Sequence, residues 1–193
     1  FHGNSYTYRY NLIPILSSAL TKNSEMESFI TKVSKPYDKL LSQKIGYTSD
    51  TLYRRSNFNG TFDDFLCDSM NAVLDTEISL SPGFRWGATL LPNQAITLND
   101  IYNHTAITYP NTYIREMDGL TIKNILEDVA DNIFNNDPYL QQGGDMVRTR
   151  GIKYTINPKN KINNRITNLR LNNDLPIKSN KKYKVSGWAS VNN

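Results

Sequence analysis

The chain of 193 residues contains a single cysteine, Cys67, and only two histidines, His2 and His104. One thiol cannot close an internal disulfide or build a zinc ribbon, and it leaves the redox compartment open. With so few nitrogen and sulfur ligands, the chain is poorly stocked for a transition-metal centre of its own. His104 has no partner at metal spacing and reads as a strand-end histidine, and Cys67 reads as a small core residue. No apolar run approaches the ~18–20 residues that cross a bilayer. The sequence has no phosphate-binding Walker loop, dinucleotide glycine fingerprint, H-E-x-x-H helix or G-x-S-x-G elbow. It also opens on Phe1 rather than methionine, with no signal-peptide pattern, so either a segment cut from the front or a processed form is expected.

What is present argues for a packed domain. Hydrophobic residues are 38% of the chain and aromatics 11%, with 12 tyrosines, a profile that intrinsic disorder does not give. The length suits one compact domain or a tight pair of subdomains. Net charge is +4, and the excess is concentrated toward the end. Arg148, Arg150, Lys153, Lys159, Lys161, Arg165, Arg170, Lys178, Lys181, Lys182 and Lys184 are accompanied by one acid, Asp174. No aromatic stacking platform joins these charges, so they read as solvated faces of strands and turns and not as a nucleic-acid surface.

Periodicity outlines a mixed α/β chain without repeats or linkers. Residues Tyr6 to Ile15 alternate like a strand. Ser24 and Glu27 form an expected capping box before Met26, Phe29, Ile30 and Val33, and Pro36 should end that helix. Thr61 and Asp64 open a helix whose expected core face is Phe62, Phe65, Leu66, Met70 and Val73. A short strand is expected over Glu77 to Leu80. Thr97 starts a short helix, and strands follow at His104 to Thr108 and Thr112 to Met117. Gly119 to Phe134 is the clearest amphipathic helix, through Ile122, Ile125, Leu126, Val129 and Ile133. A loop of about twelve residues, Asn135 to Met146, then precedes strands near Ile152–Ile156, Arg165–Leu171 and Tyr183–Gly187.

Three loops combine glycine with charge or aromatics: Gly83-Phe84-Arg85-Trp86-Gly87, Tyr109-Pro110-Asn111 and Gln141-Gln142-Gly143-Gly144-Asp145-Met146. Arg85, between glycines and flat rings, suits a guanidinium forked onto an oxyanion, with stacking on Trp86 as the equal alternative. Tyr109 could stack on a ligand or simply pack. Gly143-Gly144 permits close backbone approach, and Asp145 could cap, orient an arginine or act as a base. The residues alone define an α/β domain with an anion-recognising loop cluster and no catalytic machinery.

Longer motifs add to this. Leu52-Tyr53-Arg54-Arg55-Ser56-Asn57-Phe58-Asn59-Gly60-Thr61-Phe62, Leu80-Ser81-Pro82-Gly83-Phe84-Arg85-Trp86-Gly87, Ile107-Thr108-Tyr109-Pro110, Asp137-Pro138-Tyr139-Leu140-Gln141-Gln142-Gly143-Gly144-Asp145 and Lys184-Val185-Ser186-Gly187-Trp188-Ala189 resemble the C-terminal substrate-recognition domain of the 5′-nucleotidase family. Within it they resemble the sulfur-oxidising thiosulfohydrolase branch, SoxB, over nearly the whole chain.

The resemblance implies a mixed-sheet, layered fold with helices packed on sheets, formed by residues 1–193 as one recognition domain. Residues 1–45 would be the connecting strand and helix from an N-terminal metallophosphoesterase domain. That absent domain would hold two manganese ions, none of them in this chain. The substrate would be a cysteine S-thiosulfonate on the periplasmic carrier SoxY, hydrolysed to release sulfate. Carried over onto this sequence, Arg85 matches the family's anion-gripping arginine, and Arg54 and Arg55 fall near further anion-facing arginines. Tyr109 and Asn111 match a stacking aromatic and the asparagine two positions on, with Pro110 replacing the glycine between them. Gly144 and Asp145 complete the candidate substrate-binding set. Where nucleotidases carry a second stacking aromatic, this sequence reads Gly187-Trp188-Ala189-Ser190-Val191, and the resemblance then favours a small inorganic head group. The alternatives are a phosphoesterase domain binding a nucleotide or phosphate ester, and a stand-alone binding module without catalysis.

Overall fold

The computed structural model describes residues 7–13, 19–83, 87–106 and 111–188. Phe84, Arg85, Trp86, Ile107, Thr108, Tyr109 and Pro110 lie outside them. The chain divides into two units, Phe1–Leu40 and Leu41–Asn193.

In the first unit, α1 spans Ser24–Ser34. Its cap is Asn23, whose side chain accepts the Met26 N–H at 2.9 Å. The helix is therefore capped one residue earlier than expected and without a box, since Met26 offers no acceptor and Glu27 pairs with Lys22 at 2.7 Å. Pro36 follows the end of α1, as its missing N–H requires, and a short α2 covers Asp38–Leu41. Residues 7–13, within the strand expected over Tyr6 to Ile15, form no regular element. A strand needs a neighbour for its amides and carbonyls, and the regular elements described in this unit are helices.

The second unit is built on a four-stranded mixed sheet in the order β4–β8–β2–β5, using Thr112–Asp118, Lys182–Trp188, Ile78–Ser81 and Arg148–Arg150. The β2–β8 pair is parallel, while β4–β8 and β2–β5 are antiparallel. Two further antiparallel pairs are separate from it: β1 (Lys44–Tyr47) with β3 (Ala95–Thr97), and β6 (Ile152–Ile156) with β7 (Ile166–Leu171). Strands β1, β3 and β5 lack a sequence signal because each has only three or four residues, too few to show a period.

Helix α5, Gly119–Phe134, coincides with its expected span, and the Asp118 side chain caps it by accepting the Thr121 N–H at 2.8 Å. Its buried Ile122, Leu126 and Ala130 join Ile78, Leu80, Tyr183 and Val185 from β2 and β8 in the main core. The opposite face of β2 carries small hydroxyls, and Ser79 Oγ donates to the Cys67 carbonyl of α3 (Thr61–Leu74) at 2.9 Å. The sheet is thus covered on both sides, by α5 and by α3. Cys67 is fully buried, in keeping with a small core residue.

Several expectations need correction. The buried face of α3 is Phe62, Asp63, Cys67 and Met70, whereas Phe65 is 41% and Val73 81% exposed. The stripe is rotated because Asp63 is drawn inward by two arginines. His104 closes α4 (Leu98–Thr105) instead of opening a strand, because a complete capping box at Thr97 and Asp100 launches a helix that runs through it. The C-terminal basic residues are not all solvated: Arg148 and Arg165 are 1% and 2% exposed. Arg165 donates to Asp131 at 2.6 Å, and its backbone N–H with that of Ile166 goes to the buried Glu127 carboxylate, which ties α5 to β7.

A candidate substrate-binding site

Two of the three loops singled out by sequence touch each other. A β-carbon on Gly83 would meet the Asp145 Cβ and the Met146 carbonyl, each at 2.7 Å, so only glycine permits this approach. Beside the junction lies a cavity of about 360 Å³, lined by Ser81, Pro82, Gly83, Asp145, Tyr113 and Trp188 among others. These residues come from the end of β2, the loop before β5, the start of β4 and the end of β8. The Trp188 indole N–H donates to Ser81 Oγ at 2.7 Å, which fixes one wall. Tyr113 forms another, its ring packed so closely on Gly187 that a β-carbon there would collide. Burial pushes the Tyr113 phenol above its usual pKa, so it is a neutral donor at physiological pH. A second cavity, between α3 and Trp188, is lined mainly by Leu66, Met70, Val73 and Leu74 and offers little polar chemistry.

Beneath the loops runs a chain of buried charges. The Arg54 Nε donates to Asp63 Oδ1 at 2.9 Å, and the Arg148 Nε donates to Asp63 Oδ2 at 3.2 Å. Arg148 also reaches Asp145 Oδ2 at 3.4 Å. None of these four side chains is exposed. Burial raises the Asp63 pKa, and the two guanidiniums pull the other way. Both of its oxygens accept arginine N–H groups, an arrangement that fits the carboxylate. Two guanidiniums face two carboxylates, so the cluster is formally neutral and its contribution is rigidity more than attraction for an anion.

The sequence-derived candidates therefore separate. Asp145 lines the cavity, and Gly144 precedes it as an exposed glycine at φ 95°. Asn111 is exposed two residues before Tyr113. Arg54 is turned into the protein, donating to the Pro82 carbonyl at 3.2 Å and to that of His104, with its guanidinium carbon 5.7 Å from the Trp188 ring centre. Arg55 is exposed. Arg85 and Tyr109 lie outside the described residues, though their loops leave from Gly83 and follow α4. Sequence reasoning missed Asp63, although a carboxylate at positions i, i+4 and i+7 with Cys67 and Met70 is an available signal.

Among the described residues, no group of three or more His, Cys, Asp or Glu side chains is placed to hold a metal ion. No helix among them is long and apolar enough to cross a membrane.

A layered domain with a loop-lined cavity at one end of a mixed sheet matches a known class. The profile of the 5′-nucleotidase C-terminal domain matches residues 44–190, and the chain belongs to that family. Its fold is similar to sulfate thiohydrolase SoxB of Thermus thermophilus, solved with glycerol, at 32% identity over 91% of this chain, with a TM-score of 0.87. It is also similar to a 5′-nucleotidase precursor from Thermus thermophilus (16% identity over 89% of this chain, TM-score 0.69). A third relative is the NAD nucleotidase of Haemophilus influenzae (20% identity over 88%, TM-score 0.66). The chain spans about a third of the length of each, at 32%, 34% and 32%. No curated protein sequence matches it significantly.

Proposed function

We propose that this domain binds the substrate of a SoxB-type thiosulfohydrolase, whose parent hydrolyses a carrier-bound cysteine S-thiosulfonate and releases sulfate. The observation that carries this reading is the 32% identity to SoxB over 91% of the chain, against 16% and 20% for the two nucleotidases. The family membership supports a role in substrate recognition for a hydrolase. Hydrolysis itself belongs, in this reading, to an N-terminal metallophosphoesterase domain holding two manganese ions. The fragment is inactive alone, with residues 1–45 leading in from that domain.

The cavity beside Gly83 and Asp145 suits a compact head group. The neutral Arg54–Asp63–Arg148–Asp145 cluster holds the loops, while Arg85 and Arg55 supply positive charge to the sulfonate oxygens. Tyr109 and Asn111 are further substrate contacts in this reading, on the ground of the family resemblance. The carrier is SoxY and the compartment the periplasm. Water exclusion on closure strengthens the contact to the anion, since charge–charge interaction grows as the local dielectric falls.

The full-length parent decides the matter. Sulfate released from carrier-bound thiosulfonate, with no phosphate from AMP, is the expected result. Phosphate release without sulfate release would replace this reading with that of a nucleotidase-like phosphoesterase.

A further inference from the structure

We propose that Asp63 is a positioning residue for substrate, setting through Arg54 and Arg148 the place of the loops that bound the cavity. The inference rests on the substrate-binding reading above.

Asp63 touches no solvent, and its two oxygens divide between two guanidiniums. Each arginine also donates to backbone carbonyls of neighbouring segments. Arg54 reaches Pro82 and His104, which stand just before residues 83–87 and 107–110. Arg148 reaches Met146 at 3.1 Å, and also Ser56 and the Arg54 carbonyl. A buried carbonyl without a donor is costly, and a planar guanidinium can serve two or three at fixed angles where a lysine cannot. Two buried guanidiniums in turn require a counter-charge. Asp63 supplies it from the first turn of α3, where the helix dipole favours an anion. Apolar residues could join α3 to the sheet as well as this network does. What they could not do is hold Pro82, His104 and Met146 at once.

The test uses the full-length parent and whichever of sulfate or phosphate release it catalyses, so a failed thiosulfohydrolase reading leaves it standing. Asp63→Asn is compared with Asp131→Asn, which breaks the Arg165 pair between α5 and the start of β7. Asp63→Asn is expected to raise KM by about tenfold or more, with kcat within about threefold. Asp131→Asn, at a similar loss in Tm, should leave KM unchanged. Hydrogen exchange at residues 82–88 and 104–112 should quicken in the first variant only. Equal KM values or equal exchange in the two variants would overturn the proposal. If Asp63→Asn does not fold, Arg54→Lys keeps a cation beside Asp63 without the fork and should show the same split in KM. A normal KM in Arg54→Lys overturns the proposal, as does failure of both variants to fold while Asp131→Asn folds.

Discussion

Gly83 and Asp145 meet with no room for a methyl group: a β-carbon on the glycine would lie 2.7 Å from that of the aspartate. The end of β2 and the loop before β5 are therefore joined at van der Waals range beside the cavity. Gly83→Ala must push these loops apart, at a cost of about 1–3 kcal/mol for overpacking. Urea unfolding of the domain should report that loss, and the parent enzyme should show a raised KM. Unchanged stability would mean that the loops part freely.

Arg85 is reached from this junction in two residues. Arg85→Ala in the parent should lower kcat/KM at least about tenfold, from losing a charge-assisted contact of about 1.5–3 kcal/mol. The parent's bound metal, measured by metal analysis, should not change if Arg85 acts on the substrate as proposed. A wild-type rate would remove Arg85 from the site.

Helix α3 yields a contrast that separates pattern from packing. Sequence spacing puts Val73 on the core face, yet it is 81% exposed, while Leu126 on α5 is fully buried. Leu126→Ala should cost about 2–5 kcal/mol by opening a cavity in the main core. Val73→Ala should change stability by no more than about 0.5 kcal/mol. Chemical denaturation of both variants checks the pair, and a large loss at Val73 would mean that this face is covered.

The difference between those two helices explains what the sequence discloses. In α5 the apolar residues face one sheet and nothing polar competes, so Gly119–Phe134 is readable to its ends. In α3 a carboxylate occupies the apolar stripe, and its partners lie far along the chain: Arg148 is 85 residues away. Local periodicity holds no record of such a pairing. The same holds for Arg148 and Arg165, whose burial depends on Asp63 and Asp131 far along the chain, so that a count of basic residues makes them look solvated. Arg54, expected to face an anion, is turned inward onto Asp63 and two carbonyls. Of the three loops that glycine, proline and charge single out in the sequence, two are brought together at Gly83 and Asp145. Which of their charges face a ligand and which brace the scaffold is decided by tertiary contacts.

Cys67 offers a direct probe of packing. Burial is the main cause that pushes its thiol up to about 12, with nearby carboxylates adding to it and Ser79 opposing. At pH 8 the folded domain should therefore not react with a disulfide reagent, whereas one equivalent should react once urea unfolds it. Labelling in native buffer on mixing would show that α3 opens readily from the sheet.

His104 gives the fold a pH dependence of known sign. Its ring is buried and stacked on Phe62, with centroids 3.7 Å apart. Burial, and then the Arg54 guanidinium, hold its pKa below the usual 6.5, against weaker opposition from the Ala88 backbone and Asp100. A histidine depressed in the folded state binds its proton first in the unfolded chain. Stability should thus fall as pH drops below about 6.5, and level off once the folded chain also protonates. For one group the loss by pH 5.5 cannot exceed about 1.4 kcal/mol. Urea unfolding at pH 7.5 and pH 5.5 should show that decline, and His104→Phe, which keeps the stack and the backbone carbonyl, should reduce it. Superimposable pH profiles for the two proteins would assign the dependence to other groups.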